Sequence, residues 1–385
     1  MALDFPNSPT LGQLFTSGAL TWRWDGAKWV AATLATGLYF PNKLINPFME
    51  IDQANEGASV NAVNYIIDGF AAFNGSAGTL TGQRVTDAPP GYPYSLRIQQ
   101  TVVGSLAAGS YAQIKQPIEA DDIADTRFGT SAAQNLSLAF WAKASLAGTY
   151  SAALLHGSIV RSYVFPFVIS AANTWQFFSQ VIPGDTGGAW TLSGNSTGMS
   201  LVIGLTAGSG QQVTTLNAWQ TSPGFAPSTI SNTMLTTLNS TFQLGPCGLW
   251  VAPAPQPLLR TSIETELSRC QRYYEKSYDT GQALGSNSSQ GGSLVIGTQG
   301  TVTTNINGSV PFSVAKRAAP TMTMYGLATA STPGKGSYWN GTAYTDYTGS
   351  FPSAGVHGFN CVWPSVTSPT TTGFMITHWA ADSRL

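Results

Sequence analysis

The chain has 385 residues and only 35 charged side chains, 17 Lys plus Arg and 18 Asp plus Glu. That is 9% of the chain, where roughly 25% is ordinary for a soluble protein. A net charge of −1 gives no field that would attract phosphate backbones or anionic lipid, so the composition argues against nucleic-acid and membrane-surface binding. The 41 Gly and 22 Pro favour β structure, and the 11 Trp, 14 Tyr and 18 Phe suffice for a folded core.

The sequence carries no pattern of export, membrane insertion or metal binding. The opening residues MALDFPNSPTLGQLF lack the basic segment and apolar run of a secretory signal, so we expect synthesis in, and no Sec export from, a cytoplasm. No window reaches the roughly 18 apolar residues of a membrane span. The cysteines and histidines are too scattered for a disulfide framework or a zinc site, and we predict no metal, cofactor or catalytic residue from them. They are Cys247, Cys270, Cys361, His156, His357 and His378.

Residues 1–43 are interpreted as a small N-terminal hairpin module. Asp25-Gly26 is typical of a two-residue turn, because that turn needs positive φ at both central positions. With this loop Trp22 lies opposite Trp29, and Trp24 shares their face. A lone hairpin is not stable in water, so this aromatic face must dock on the rest of the chain or on another protein.

Residues 44–385 are interpreted as a jelly-roll-like antiparallel β-sandwich, with its main strands in 44–257. Short β-like runs alternate there with Gly, Ser, Asn and Pro clusters. In LSLAFWAKA the residues Leu136, Leu138, Phe140 and Ala142 alternate with the rest, which predicts one core-facing side. Further strands are predicted at Tyr94–Gln99, Tyr163–Ile169, Trp175–Ile182, Leu201–Leu205, Phe242–Leu244 and Leu249–Ala252.

One helix is predicted at about 261–280. Thr261 and Glu264 fit a capping box, an apolar stripe follows as far as Tyr278, and Gly281 provides the stop. Residues 294–385 return to strands, which we expect to close the same sandwich, although a separate subdomain is also compatible with the periodicity.

An ordered series of segments resembles phage and prophage tail-fibre or virion structural proteins. In such proteins a carbohydrate-binding-module-like sandwich precedes a CQRYY helix and a closing strand. The segments are ADDIADTRFG (120–129), LSLAFWAKASLAGTY (136–150), WQFFSQVIPGDTGGAW (175–190), ELSRCQRYYEKS (266–277), VPFSVAKRAAPTMTMY (310–325) and THWAADSRL (377–385). The opening FPNSPTLGQLFTSGALTWRWDGAKWV also resembles a short module of such proteins. The resemblance implies a virion protein made in a bacterial host and forming a homotrimer. It transfers no catalytic motif.

The spacing of the acidic residues indicates no particular chemistry. Glu119, Asp121, Asp122 and Asp125 form the densest group, but their spacing matches no calcium loop, so a solvated loop or helix start is favoured over a metal or acid/base site. No Ser-His-Asp setting or phosphate-binding loop occurs. We therefore expect a non-enzymatic protein. A polysaccharide depolymerase stays an alternative, because it needs only two well-placed carboxylates.

Aromatic residues near predicted turns are the candidates for sugar stacking, since rings combine apolar area with a polar handle. Core or subunit-interface packing is the competing interpretation. The candidates are Tyr92, Tyr94, Trp219, Tyr338, Trp339 and Tyr344.

The sequence thus predicts a tail-fibre or spike component that contacts host-surface glycan or supports the adhesin. A capsid or collar decoration protein with purely structural contacts is the alternative. Trp22, Trp24 and Trp29 are the predicted attachment to other virion proteins. The low charge favours self-association, with a monomer as the alternative.

Overall fold

The computed structural model describes residues 5–10, 13–17, 20–24, 26–31, 40–75, 78–287, 291–299, 305–328, 332–367 and 372–385. The chain divides into two compact units, residues 1–41 and 42–385. No helix among these described residues is both long and apolar enough to cross a membrane.

The first unit is a three-stranded antiparallel sheet rather than a hairpin. Its strands are β1 (Leu14–Ser17), β2 (Leu20–Trp24) and β3 (Trp29–Ala31). Trp24 pairs with Trp29 and Trp22 with Ala31, so the predicted pairing of Trp22 with Trp29 is wrong. Four residues, 25–28, separate the strands instead of two, and Asp25 lies outside the described residues. The ring contact of Trp24 with Trp29, at 5.7 Å between centroids, accompanies this register.

The larger unit begins with fifteen strands that follow one another along the chain. They are β4 (Val60–Asn61), β5 (Tyr65–Ile67), β6 (Phe70–Asn74), β7 (Thr79–Val85), β8 (Ser95–Val102), β9 (Tyr111–Glu119), β10 (Leu136–Ala144), β11 (Gly148–His156), β12 (Ser162–Ile169), β13 (Gln176–Ile182), β14 (Thr197–Ala207), β15 (Gln212–Val213), β16 (Trp219–Gln220), β17 (Ala226–Pro227) and β18 (Thr241–Val251). Short helices interrupt them: the 3-10 helices Asp121–Thr126 and Ser209–Gln211, and α1 (Thr233–Thr236).

Two antiparallel sheets of these strands form a sandwich. One has the order β13-β10-β18-β8-β7-β4 and the other β16-β12-β11-β14-β9-β6-β5, while β15 and β17 form a separate parallel pair. Their inner faces share one apolar core, to which Leu136, Leu138, Phe140 and Ala142 contribute from β10. The mainly β, antiparallel sandwich is therefore confirmed, and so is the core-facing alternation of β10.

The predicted helix ends about two turns early. Helix α2 covers Ile263–Gln271, and its N-cap is Ser262, whose Oγ accepts a hydrogen bond from the Thr265 N–H. Strand β19 (Tyr274–Lys276) follows at once and pairs with residues 380–382. The expected helix to residue 280 is wrong, because this strand pairing satisfies the backbone that a further turn would use.

Residues 294–385 build their own sheets around their own core. The strands are β20 (Leu294–Gln299), β21 (Ile306–Pro311), β22 (Thr321–Tyr325), β23 (Lys335–Trp339), β24 (Tyr344–Thr348), β25 (Ser350–Ala354), β26 (Gly358–Trp363) and β27 (Thr372–Asp382). β27 pairs with β19, β20, β22 and β23, β24 pairs with β23, and β21, β26 and β25 form a second sheet. The core contains Met324, Tyr338, Trp363, Met375 and Trp379.

This tail was expected to close the sandwich, but its strand pairing is different. Among the described strands, none of β20 to β27 pairs with a strand of either sandwich sheet. The physical reason is that the tail supplies enough large apolar side chains, such as Trp363 and Met375, to cover its own sheets.

Buried charged groups join the residue after α2 to the sandwich, and the tail to β19. Arg272 holds Glu119 through two hydrogen bonds, and Lys316 pairs with Glu275. Glu119, Glu275 and Lys316 are at most 4% exposed. Although the chain has few charged residues, these three lie in the interior rather than on the surface.

Candidate ligand-binding face

The outer face of the six-stranded sandwich sheet, which contains β10 and β13, carries an aromatic pair in which Phe177 is exposed and Trp141 is half-buried. Because successive side chains of a strand alternate, the core-facing residues of β10 leave Trp141 and Lys143 on the opposite side. Trp141 pairs with Phe177 of β13, and their ring centroids lie 5.3 Å apart at an interplanar angle of 58°. Phe177 is 48% exposed. Large apolar area is thus presented to solvent on this face.

A glycine makes room for a second tryptophan beside this pair. Gly245 lies on β18, and a Cβ placed there would come within 2.9 Å of the Trp141 Cβ and 3.0 Å of both Pro89 and the Trp175 ring. The indole of Trp175 therefore packs directly against the backbone of the sheet. The Lys143 Nζ also lies 5.0 Å from the centroid of the Trp175 ring, within the range of a cation–π interaction.

A polar row crosses four strands next to these rings. Lys143 of β10 pairs with Gln243 of β18, Gln243 pairs with Arg97 of β8, and Arg97 pairs with Gln83 of β7. At the usual strand spacing the row spans about 14 Å. The Arg97 Nη2 donates to the Gln83 Oε1 over 2.6 Å, and the Gln83 Nε2 donates to the Gly57 carbonyl over 2.9 Å. These bonds hold the polar groups in set orientations.

Asp87 lies at the end of this row, and its carboxylate is ionised. Its Oδ2 forms an ion pair with Lys143 and accepts a hydrogen bond from the Gln243 Nε2 over 3.2 Å. Partial burial by itself raises the pKa of Asp87, but the hydrogen bonds from Lys143 and Gln243 outweigh it and hold the pKa below its usual value.

This combination suits binding of a polar, flat-sided ligand. Rings offer apolar area for stacking, and the half-buried Lys143, Arg97 and Gln83 offer donors and acceptors for hydroxyl groups. Among the described residues, Asp87 is the one carboxylate that is bonded to this row, and Lys143 already pairs with it.

Two of the sequence-predicted aromatic residues meet elsewhere, on the tail sheet. Trp339 of β23 pairs with Tyr344 of β24 and with Phe374 of β27. The Trp339 and Tyr344 centroids lie 4.8 Å apart, and those of Tyr344 and Phe374 lie 6.3 Å apart. The three rings are half-buried and form a second, smaller aromatic row.

The other predicted stacking residues are dispersed. Tyr92 stacks on Phe48 at 5.8 Å, and the ring of Tyr94 lies 4.7 Å from the Arg84 guanidinium. Trp219 packs against the sandwich core and donates its Nε1–H to the Pro183 carbonyl over 2.7 Å.

Tyr338 is only 2% exposed and belongs to the tail core. Its ring has no free face for a sugar. Burial follows from the alternation of β23, which turns Tyr338 inward where Trp339 turns outward.

The predicted attachment tryptophans lie together in the first unit. Trp22, Trp24 and Trp29 share one face, which follows from the pairing of Trp24 with Trp29 and from the alternation of β2. Phe5 packs on the same face, with its ring centroid 5.4 Å from Trp22 and 5.3 Å from Trp29. Phe15 lies 6.0 Å from both rings.

The acidic cluster is divided by the fold. Asp121, Asp122 and Asp125 lie on a 3-10 helix, whereas Glu119 is 1% exposed and paired with Arg272. A solvated position is therefore wrong for Glu119. Among the described residues, no group of three or more possible ligands is arranged to hold a metal ion.

Sequence reasoning did not select the residues of the sheet face, although a signal was present. The alternation in WQFFSQVI (175–182) places Trp175 and Phe177 on one side, as that of LSLAFWAKA places Trp141 and Lys143. What the alternation lacks is the register that makes Trp141 and Phe177 neighbours. Turn proximity selects residues of loops, whereas sheet faces expose aromatic residues as well.

No protein-family model matches the chain, and no curated protein matches it. Among solved structures, similarity extends to the enzymatically active domain of tailspike protein 4 of bacteriophage CBA120, at 12% identity and a TM-score of 0.29, over 55% of this chain and 21% of that chain. TmCBM61 in complex with β-1,4-galactotriose is similar at 9% identity and a TM-score of 0.27, over 55% of this chain and 99% of that one. The family 11 carbohydrate-binding module of Clostridium thermocellum, in complex with a β-1,3-1,4-mixed-linked tetrasaccharide, is similar at 8% identity and a TM-score of 0.27, over 51% and 96%. The matched part thus spans about a fifth of the tailspike chain and nearly all of the two modules.

Proposed function

We propose that this chain is a non-enzymatic glycan-binding component of a bacteriophage tail fibre or spike. The observation that carries the binding function is the outer face of the six-stranded sheet. There the exposed Phe177, with Trp141 and Trp175, lies beside the polar row of Lys143, Gln243, Arg97 and Gln83. Stacking on rings and hydrogen bonding to hydroxyls together distinguish a sugar from other polar ligands.

The absence of catalysis is part of the proposal. It is supported by the state of Asp87, whose carboxylate is ion-paired with Lys143 and whose pKa is held low. A general acid needs a raised pKa, so that its proton is available near neutral pH. The pKa of Asp87 is lowered instead.

Binding is tested with the full chain and a panel of bacterial surface polysaccharides by affinity electrophoresis and calorimetry. We expect Trp141→Ala and Phe177→Ala each to weaken binding at least tenfold, because the stacking of a sugar on the ring is lost with the ring. Val168→Ala is the matched control, since Val168 is 55% exposed on the other sheet. Binding that is unchanged in both aromatic variants would overturn the assignment of this face.

Catalysis is tested separately by analysing the same mixtures for released oligosaccharides. We expect none. Release that is lost on substitution of an Asp or Glu would replace the binding function by a depolymerase.

The position on the tail rests on the ordered sequence resemblance, from LSLAFWAKASLAGTY to THWAADSRL. Electron cryo-microscopy of the virion tests it. Density for this chain on the tail or its fibres supports the proposal, whereas density on the head or collar would favour a decoration protein.

A further inference from the structure

Arg97 stands out among the charged groups of the proposed binding face. Six of the described arginines form an ion pair with a carboxylate: Arg84, Arg161, Arg260, Arg269, Arg272 and Arg384. Arg97 forms none with any described residue. Its described side-chain partner is the neutral Gln83, which accepts from Nη2 over 2.6 Å.

The charge balance of the face leaves this guanidinium uncompensated. Lys143 and Asp87 neutralise each other, and Gln243 and Gln83 carry no charge. In a protein whose net charge is −1, one positive charge is therefore kept, half-buried, on the sheet face that also carries Trp141 and Phe177.

The guanidinium is also held in place before a ligand arrives. Gln83 fixes one N–H of Arg97, and Gln83 is in turn fixed by its bond to the Gly57 carbonyl over 2.9 Å. A guanidinium has five N–H donors in a planar fork, so most of them remain for a ligand. A planar fork matches the two oxygens of a carboxylate.

We infer that Arg97 recognises the carboxylate of an acidic sugar, so that the glycan bound on this face contains a uronic or similar carboxyl-bearing residue. Arg97 lies two strands away from Lys143 along the polar row, and the aromatic pair lies on β10, the strand of Lys143, and on its neighbour β13. One sugar would stack on Trp141 and Phe177 while a further residue of the same chain places its carboxylate on Arg97. This inference rests on the proposed glycan-binding function and specifies its ligand class.

The experiment compares polygalacturonate, alginate and hyaluronate with the same polymers after reduction of their carboxyl groups to neutral alcohols. Binding of the full chain is measured by calorimetry at two salt concentrations. We expect at least one acidic polymer to bind ten times more tightly than its reduced form. We also expect Arg97→Gln to abolish that difference, and the preference to shrink as salt rises.

Arg127→Gln is the matched control, because it removes the same charge from an exposed arginine that follows the 3-10 helix Asp121–Thr126. It should leave the preference unchanged. Circular dichroism and urea unfolding of each variant confirm that the fold is retained.

The outcomes separate the two proposals. Equal binding of acidic and reduced polymers, or an acidic preference that survives Arg97→Gln, would overturn the role of Arg97 and leave glycan binding intact. Binding of dextran sulfate as tight as that of the preferred acidic polymer would overturn the assignment to a carboxylate in favour of anions in general. Failure of every acidic and neutral polymer to bind would overturn both proposals.

Discussion

Arg272 and Glu119 lie 153 residues apart in the sequence and face each other in a two-bond ion pair. The Arg272 Nε donates to the Glu119 Oε1 over 2.7 Å and its Nη2 donates to Oε2 over 2.8 Å. The Tyr273 hydroxyl also donates to Oε1. The residue that follows α2 is thereby tied to the end of β9 in the sandwich.

The two partners of this pair should respond unequally to mutation. The side chain of Glu119 is 2% exposed, and that of Arg272 is 38% exposed. Arg272→Ala leaves a buried carboxylate with the Tyr273 hydroxyl as its remaining partner in this trio, and we expect a loss of about 3 kcal/mol in the free energy of unfolding. Glu119→Gln leaves an arginine that reaches water, and we expect about 1 kcal/mol. Urea unfolding followed by tryptophan fluorescence at pH 7 measures both. Equal losses would contradict this account.

Asp68 should make the stability depend on pH. Burial raises its pKa to about 6, although the Gln53 backbone and side-chain N–H groups both donate to it. From the usual 3.8 up to about 6, the folded state therefore holds a proton that the unfolded state releases. The sign follows: this group's contribution to the free energy of unfolding is present at low pH and falls as the pH rises through that window.

The Asp68→Asn variant isolates this contribution, because the other titrating groups are shared with the natural chain. We expect the free energy of unfolding of the natural chain to fall relative to that of the variant by about 2 kcal/mol from pH 4 to pH 7. Parallel pH profiles from urea unfolding would show that Asp68 titrates alike in the folded and unfolded states.

Gly245 should matter for the sheet face more than for the core. In Gly245→Ala the new methyl group would meet the Trp141 Cβ at 2.9 Å and the Trp175 ring at 3.0 Å, so the indole must move off the sheet. We expect a loss of glycan affinity of about tenfold with a smaller change in stability. Gly91→Ala is the control for adding a methyl group away from the rings, because Gly91 has open space around its missing Cβ. Its positive φ of 87° strains the backbone of this variant, so the control also shows whether a strained glycine substitution alone lowers affinity. Unchanged affinity in Gly245→Ala would show that the position of Trp175 is not part of binding.

The first unit should be required for incorporation into virions and not for glycan binding. Phe5, Phe15, Trp22 and Trp29 form a cluster of half-buried rings on a small sheet, which suits attachment to another virion protein. A chain beginning at Asn42 keeps Leu44 and Ile45, which are buried in the larger unit.

We expect that shortened chain to bind polysaccharide normally and to be lost from purified particles in mass spectrometry. The variant Trp22→Ala should reduce incorporation in the full chain. Normal incorporation of the shortened chain would contradict the attachment role.

Self-association is expected to follow from the low surface charge, and the sequence resemblance specifies a trimer. Few charges give little electrostatic repulsion between copies. Light scattering at micromolar concentration should give a mass about three times the 40.5 kDa of one chain. A mass near 40.5 kDa that is unchanged over a tenfold range of concentration would contradict intrinsic self-assembly.

Several features of this protein follow from the sequence alone. The alternation of β10 identified its core-facing side chains, and the strand predicted at Tyr163–Ile169 lies within β12 (Ser162–Ile169). Such features are local, because a period of two residues decides which side of a strand is apolar. The β-rich fold class follows for the same reason, from turn formers and apolar runs repeated along the chain.

The tertiary structure decided the features that depend on distant pairing. Residues 274–276 carry a helical apolar pattern, yet they pair with residues 380–382 as a strand. Trp24 rather than Trp22 faces Trp29, because a longer loop shifts the register. The proposed binding face is of the same kind: Trp141, Phe177, Gln243 and Arg97 come from four strands. Alternation places each on an outer side, but only the order and register of the strands bring them together, and those depend on contacts across the whole sandwich.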